Sequence, residues 1–418
     1  MTEYLQINIL PSFWLYFANF VAIIKTQNTE VILVSPELSL FDETPSAPLA
    51  IVATPGAQEL AELIDKRLVA LYNSSAPKNA RIKKGSFLVE AKCPRFTNGD
   101  AKGMILKSLR GKDLYVVCDP GNHGVTYDFF GQKVPLGPDE HFADLKRIIC
   151  AAGGKPARIT VVMPMLYGGR QHRKAGRESL DCAVMLQELQ NMGVSDIITF
   201  DAHDPRVQNA VPLMGFDNYF PNYQILKALV KRFPDVDFDR NHLMCVSPDE
   251  GAMGRNVYYA TVLGLDLGMF YKRRDYATIV NGRNPIVAHE YIGAPVAGKD
   301  IFVADDMIAT GDSIIKLAKE LKEKGAKRVF LSATFSLFTE GVDKFNDAYE
   351  KGYFDAVLST NLTYRIPELK DCSWFIEADI SKYLAYIIAA ANYNESVSNL
   401  LEPFDKIHAL VNNHVAKK

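Results

Sequence analysis

One grammar occurs in both halves of this chain and limits what it can fold into. "NMGVSDIITF" (191–200) and "EKGAKRVFLSATF" (323–335) each read as helix, glycine stop, short loop and apolar strand. Further strands are expected at "LYVVC" (114–118), "RITVVMPM" (158–165), "HLMCVS" (242–247), "DIFVA" (300–304) and "AVLST" (356–360). Amphipathic stretches lie between them, at 58–71, 179–193, 311–325 and 341–352. Strands without alternation, separated by amphipathic helices, build parallel sheets covered on both faces. The expected fold class is therefore α/β, with two doubly wound parallel-sheet domains.

Length agrees with that duplication. At 418 residues the chain exceeds one ordinary core, and two domains of roughly 150–200 residues each are expected. The divisions read as an extension over 1–49, domains over 50–218 and 219–385, and a closing helix over 386–418. The Pro-, Gly- and aromatic-rich 211–222 stretch serves as the junction. Residues 4–24 carry no charge but contain Gln6, Asn8, Pro11, Ser12 and Asn19, with no basic flank or cleavage site. They read as a packed extension; a membrane anchor and a start codon placed too far upstream are the alternatives.

A formal net charge of −2 gives no field for nucleic acid or a membrane surface. The six cysteines are scattered, without a CxxC pair, as expected for a reducing cytoplasm rather than a zinc site or disulfide framework.

In open parallel sheets the ligand lies beyond the carboxyl ends of the strands. There "VADDMIATGDS" (303–313) sets Asp305 and Asp306 before a hydroxyl-rich turn, Ala309, Thr310, Gly311, Asp312 and Ser313, that opens a helix. Unpaired N–H groups and the helix dipole let such a turn cradle a phosphate, while the acids accept hydrogen bonds from sugar hydroxyls beside it. The same residues also fit an N-cap at Asp312 or Ser313 with a solvated acidic pair.

This stretch resembles the phosphoribosyl-diphosphate-binding signature of type I phosphoribosyltransferase folds. With "RFTNGD" (95–100), "GGRQHRK" (168–174), "DAHDPRVQNA" (201–210), "VSPDEGAMGR" (246–255) and "YKRRD" (271–275), the order and spacing resemble the ribose-phosphate diphosphokinase family from about residue 52 to 365. The resemblance implies transfer of a diphosphoryl group from ATP to the C1 hydroxyl of ribose 5-phosphate, with Mg²⁺. It assigns Lys272 and Arg274 to transition-state charge, and Phe96, Asn98, Asp100, Arg170 and Gln171 to ATP. His203 and Asp249 fall to the metal, and Asp305, Asp306 and residues 309–313 to ribose 5-phosphate. It also implies a homo-oligomer, because the 95–100 segment serves a neighbouring subunit's site in that family.

Several residues depart from the family pattern. Asn98 and Asp100 stand for the usual Asp and Glu, Ala309 for an acid in the sugar-phosphate loop, and His172 for an acid. The family's Pro-Asn does not follow the Lys-Arg-Arg triplet, and the stretches near 73–90 and 119–140 are longer than expected. A phosphoribosyltransferase and a non-catalytic regulatory homologue are the rival readings.

Overall fold

The structure is a computed structural model that describes residues 44–75, 84–274, 286–401 and 403–416, without the side chains of 75, 272–274, 286–289 and 399. The 1–43 portion of the expected extension lies outside the described residues, as do residues 275–285, which follow the Lys-Arg-Arg triplet, and 76–83 within one long stretch.

The first half contains strands β1 (Leu49–Ala53), β2 (Ala91–Lys92), β3 (Met104–Ile105), β4 (Asp113–Val117), β5 (Thr126–Phe129) and β6 (Gln132–Pro135). It continues with β7 (Arg158–Val162), β8 (Asp196–Phe200) and β9 (Gly215–Tyr219), and its helices are α1 (Gln58–Ser75), α2 (Pro138–Ala152) and α3 (Asp181–Asn191). Parallel pairing gives the order β1-β4-β7-β8-β9. All five residues of β4 are buried, which explains the apolar run that follows Asp113.

In the second half, α4 (Asn222–Arg232) precedes strands β10 (Leu243–Ser247), β11 (Asp266–Arg274), β12 (Ile286–Gly293) and β13 (Asp300–Ile308). The remaining strands are β14 (Arg328–Ser336), β15 (Ala356–Thr360) and β16 (Phe375–Ala378). Helices α5 (Met253–Leu263), α6 (Asp312–Glu323) and α7 (Asp343–Glu350) lie between them. The strand order is β12-β11-β10-β13-β14-β15-β16, parallel except for the antiparallel edge strand β12. Each sheet has its own core, one including Val116, Val161 and Ile197, the other Val303, Leu331 and Val357.

Three expectations change. The 211–222 junction contains β9, an edge strand too exposed to show an apolar run. Strand β13 runs to Ile308 rather than Ala304, because β14 stays paired with it through Ser336. The single closing helix becomes α8 (Ser381–Asn392), which contains the expected boundary at 385, then α9 (Ser398–Leu401) and α10 (Phe404–Val415). Pro403 stands directly before α10, where its missing N–H costs nothing.

The returning α8 packs on α1 and ties the halves together at the amino ends of the strands. The Asn392 amide donates to buried Asp113 (2.8 Å), whose carboxylate also takes the Arg158 fork at 2.8 and 2.6 Å. At the carboxyl ends, buried Asp119 accepts from the Tyr364 backbone N–H (2.7 Å) and from Gly121 N–H (2.9 Å).

Burial raises the Asp119 carboxyl from 3.8 to about 7, outweighing those two hydrogen bonds. Between these values the folded chain keeps a proton that the unfolded chain has released. The group's contribution to stability is complete below 3.8 and is lost as pH rises through about 7. Urea titrations across this range should therefore show the unfolding free energy of Asp119→Asn falling less steeply with pH than that of the wild type.

Candidate active site

The switch point of the second sheet lies between β10 and β13, since the chain leaves β10 toward β11 on one side and β13 on the other. Strand β10 pairs with β13 only as far as Phe302, while β13 continues six residues further. The Asn256 side chain replaces the missing strand partner, accepting from Ala304 N–H (3.0 Å) and donating to Ala304 C=O (2.7 Å). Asp305 and Asp306 thus emerge within the last turns of a strand, not after it, beside the opening that β10 vacates.

Strand β8 of the first half ends at the same place. Asp201 follows it with φ +42, a left-handed conformation that Asp tolerates better than most residues. Its carboxylate takes Arg255 Nε (2.9 Å) and Nη2 (2.6 Å) as a fork and the Thr334 hydroxyl at 2.6 Å. Two residues on, His203 Nδ1 lies 2.5 Å from Asp306 Oδ2. Arg255 Nη1 also stands 3.7 Å from Asp305.

These contacts set the charges. The bond to Asp306 raises the His203 pKa despite burial. Burial opposes ionisation of Asp306, but His203 and Arg255 hold it below its ordinary value. Burial and the neighbouring Asp306 charge push Asp305 upward, because two adjacent carboxyls in one dry site resist double ionisation. Burial disfavours the Arg255 cation, yet Asp201, Asp306 and Asp305 together keep it protonated.

The Thr310–Ser313 turn opens α6, with Gly311 as the N-cap at φ +90, so the expected cap at Asp312 or Ser313 is corrected. A Cβ at Gly311 would fall 2.3 Å from the Phe345 ring, which leaves room only for glycine. Lys344 (2.7 Å) and the Thr310 hydroxyl (3.0 Å) hold the Asp312 carboxylate and depress its pKa. Ala309 offers its carbonyl to Thr339 N–H (3.1 Å).

Other expected residues divide into near and far. Arg170 is close enough to oppose the charge on His203. Gln171 donates to the Ser179 carbonyl (2.9 Å). Asp249 accepts from Ala252 N–H (3.1 Å) at the head of α5, the helix that carries Arg255. Phe96, Asn98 and Asp100 form a separate turn: Phe96 N–H donates to Asp100 C=O (2.6 Å), and the Asn98 amide to the Asp100 carboxylate (2.7 Å). Lys272 and Arg274 lie on the backbone of β11, and their side chains are outside the described residues. The sequence reading gave Arg255 and Thr334 no role; only the position of Arg255 at the end of "VSPDEGAMGR" hinted at one. Among the described residues no group of three His, Cys, Asp or Glu side chains is arranged to hold a metal ion by itself.

Two parallel sheets, with paired acids and a glycine-capped turn at the switch point of the second, define an α/β protein of the phosphoribosyltransferase-type fold. Residues 49–193 match the N-terminal domain of ribose phosphate pyrophosphokinase, and residues 217–358 match the phosphoribosyl transferase domain. The ribose-phosphate pyrophosphokinase of Pasteurella multocida is 30% identical over 319 residues, covering 74% of this chain and 90% of its own. That of Vibrio parahaemolyticus is 29% identical over the same span and coverage. The crystal structure of phosphoribosylpyrophosphate synthetase from Mycobacterium smegmatis shares the fold, with a TM-score of 0.63 at 23% identity, over 83% of this chain and 99% of that one. The chain belongs to the ribose-phosphate pyrophosphokinase family and is an enzyme of that kind.

Replacing Arg255 with Met should cost about 3–5 kcal/mol in chemical denaturation, because it strands the buried Asp201 carboxylate. Arg255→Lys should recover only part of this loss, since an ammonium cannot form the two-pronged contact.

Proposed function

We propose that this enzyme transfers the diphosphoryl group of ATP to ribose 5-phosphate. The C1 hydroxyl oxygen attacks the β-phosphorus, the bond from that phosphorus to the α,β-bridging oxygen breaks, and the hydroxyl proton is released. The products are 5-phosphoribosyl 1-diphosphate and AMP. The observation that carries this reading is the pairing of the Gly311-capped turn with Asp305 and Asp306 on the strand leading into it. The turn's N–H groups suit the 5-phosphate and the acids suit the ribose hydroxyls.

Phosphoryl transfer of this type runs on positioning and charge neutralisation. Arg170 and Gln171 would contact ATP with Phe96, Asn98 and Asp100, and Lys272 and Arg274 would stabilise charge on the group in transit. The donors fit Mg²⁺ as it is commonly held beside phosphates, by one or two protein ligands with the remainder from water and substrate. His203 and Asp249 would be those ligands, and the ion would supply charge neutralisation at the phosphates. The Asp306 contact engages Nδ1 of the His203 ring, so Nε2 would be the nitrogen offered to the ion. The enzyme would work in the cytoplasm as a homo-oligomer; no described helix is long and apolar enough to cross a membrane.

Incubating the protein with ribose 5-phosphate, ATP and Mg²⁺ should form AMP and phosphoribosyl diphosphate in equal amounts, and chelation should abolish both. ATP binding without AMP would instead fit a regulatory homologue, a reading that Ala309 and Asn98 favour. In the same assay Lys272→Ala should lower kcat by roughly 10²–10³, the usual cost of removing one group that stabilises developing charge. Near-intact turnover would remove Lys272 from the catalytic set.

A further inference from the structure

The β5–β6 hairpin has a turn that conflicts with its own sequence. Only Phe130 and Gly131 join the strands, at φ +48 and +79, the left-handed pair of a type I′ turn. Asn, Asp or Gly suits the first of these positions, whereas a bulky side chain there is strained. Phe130 nevertheless occupies it with 78% of its surface exposed. Neither backbone preference nor core packing accounts for that residue.

The hairpin's contacts show where the ring is delivered. Phe129 packs over Gly99, where a Cβ would fall 2.6 Å from the ring, and the Arg95 guanidinium lies 5.4 Å from the Tyr127 centroid. Both contacts dock the hairpin on the 95–100 turn. Between them is a cavity of about 410 Å³ lined by Thr97, Asn98, Asp128, Phe130 and Gly131. Its size falls within the roughly 300–1,000 Å³ of small-molecule sites. The lining offers one aromatic ring, and its polar side chains are a hydroxyl, an amide and a carboxylate.

We infer that this cavity receives the purine base of the nucleotide, with Phe130 stacked on its face. Asp128 accepts a hydrogen bond from the exocyclic amine of adenine and repels the carbonyl oxygen that guanine carries at that position. Phe130 and Asp128 are thus specificity-determining residues on a hairpin to which the family resemblance assigns no role. The inference rests on the reading of Phe96, Asn98 and Asp100 as nucleotide contacts.

Phe130→Asn is the informative variant, because Asn-Gly is the favoured type I′ pair and the hairpin should fold at least as well. Calorimetric titration with ATP should show affinity weakened roughly 5- to 100-fold, the usual cost of losing one base–aromatic stack. The KM for ATP should rise with it while the KM for ribose 5-phosphate does not follow, and Asp128→Asn should narrow the preference for ATP over GTP. Unchanged ATP affinity in Phe130→Asn overturns the inference, whether or not phosphoribosyl diphosphate forms. Dissociation of an oligomer with ATP affinity retained also overturns it and makes the ring a contact between copies. A wild type that binds ATP but makes no phosphoribosyl diphosphate, with binding weakened in Phe130→Asn, upholds the base site and sinks the proposed reaction. A wild type that binds no ATP overturns both.

Discussion

The Asp201–Arg255 ion pair is the contact on which the candidate site depends. It joins the end of β8 in one half to α5 in the other, with Asp201 almost wholly buried and Arg255 nearly so. An isolated charge could not remain ionised there; the two-pronged geometry and the Thr334 hydroxyl satisfy the carboxylate, and Arg255 reaches on toward Asp305. Such a pair is weak evidence of stability in itself, since apolar groups of equal volume often do as well. Its value here is positional. It fixes the left-handed turn at Asp201 from which His203 projects, and so determines that His203 meets Asp306.

How far all this could be read from the sequence follows from how each part is held. Strand β15 is buried on both faces, and its expected bounds, 356–360, match the structure residue for residue. Strand β9, "GFDNY", is an edge strand with only Tyr219 fully buried, so it leaves no apolar run to read. The end of β13 was set too early because acids look like a strand stop; continued pairing with β14, a tertiary fact, carries the strand past them. The positions of Asp305, Asp306, Thr310 and Gly311 could be read because they are neighbours in sequence. The His203–Asp306 contact spans 103 residues and two sheets, and no local pattern encodes it.

The two ends of the site are built with different stiffness. Around the Gly311 turn every element is pinned: Phe345 fills the space under the glycine, Lys344 holds Asp312, and the Ala309 carbonyl is bonded to Thr339. A phosphate cradle gains from such rigidity, because its N–H groups must already point at the anion when it arrives. The side proposed for the nucleotide rests instead on a self-closed turn with a half-exposed Phe96 and a hairpin capped by Phe130.

That contrast bears on the departures at Asn98 and Asp100; Ala309 departs within the pinned turn, where the contact is made by its backbone carbonyl and not by its side chain. Residues in the pinned region are constrained by sterics as well as chemistry; Gly311 has no substitute, and Asp305 and Asp306 are bound into one charge balance with Arg255 and His203. Asn98 and Asp100 answer mainly to each other, the shortened carboxylate and the neutral amide closing one small turn at 2.7 Å. Exchanging side chains within a turn that satisfies itself disturbs no buried partner, so the proposed nucleotide wall is freer to change than the pinned Gly311 turn. The β5–β6 hairpin docked on that turn would set what the proposed wall offers a base.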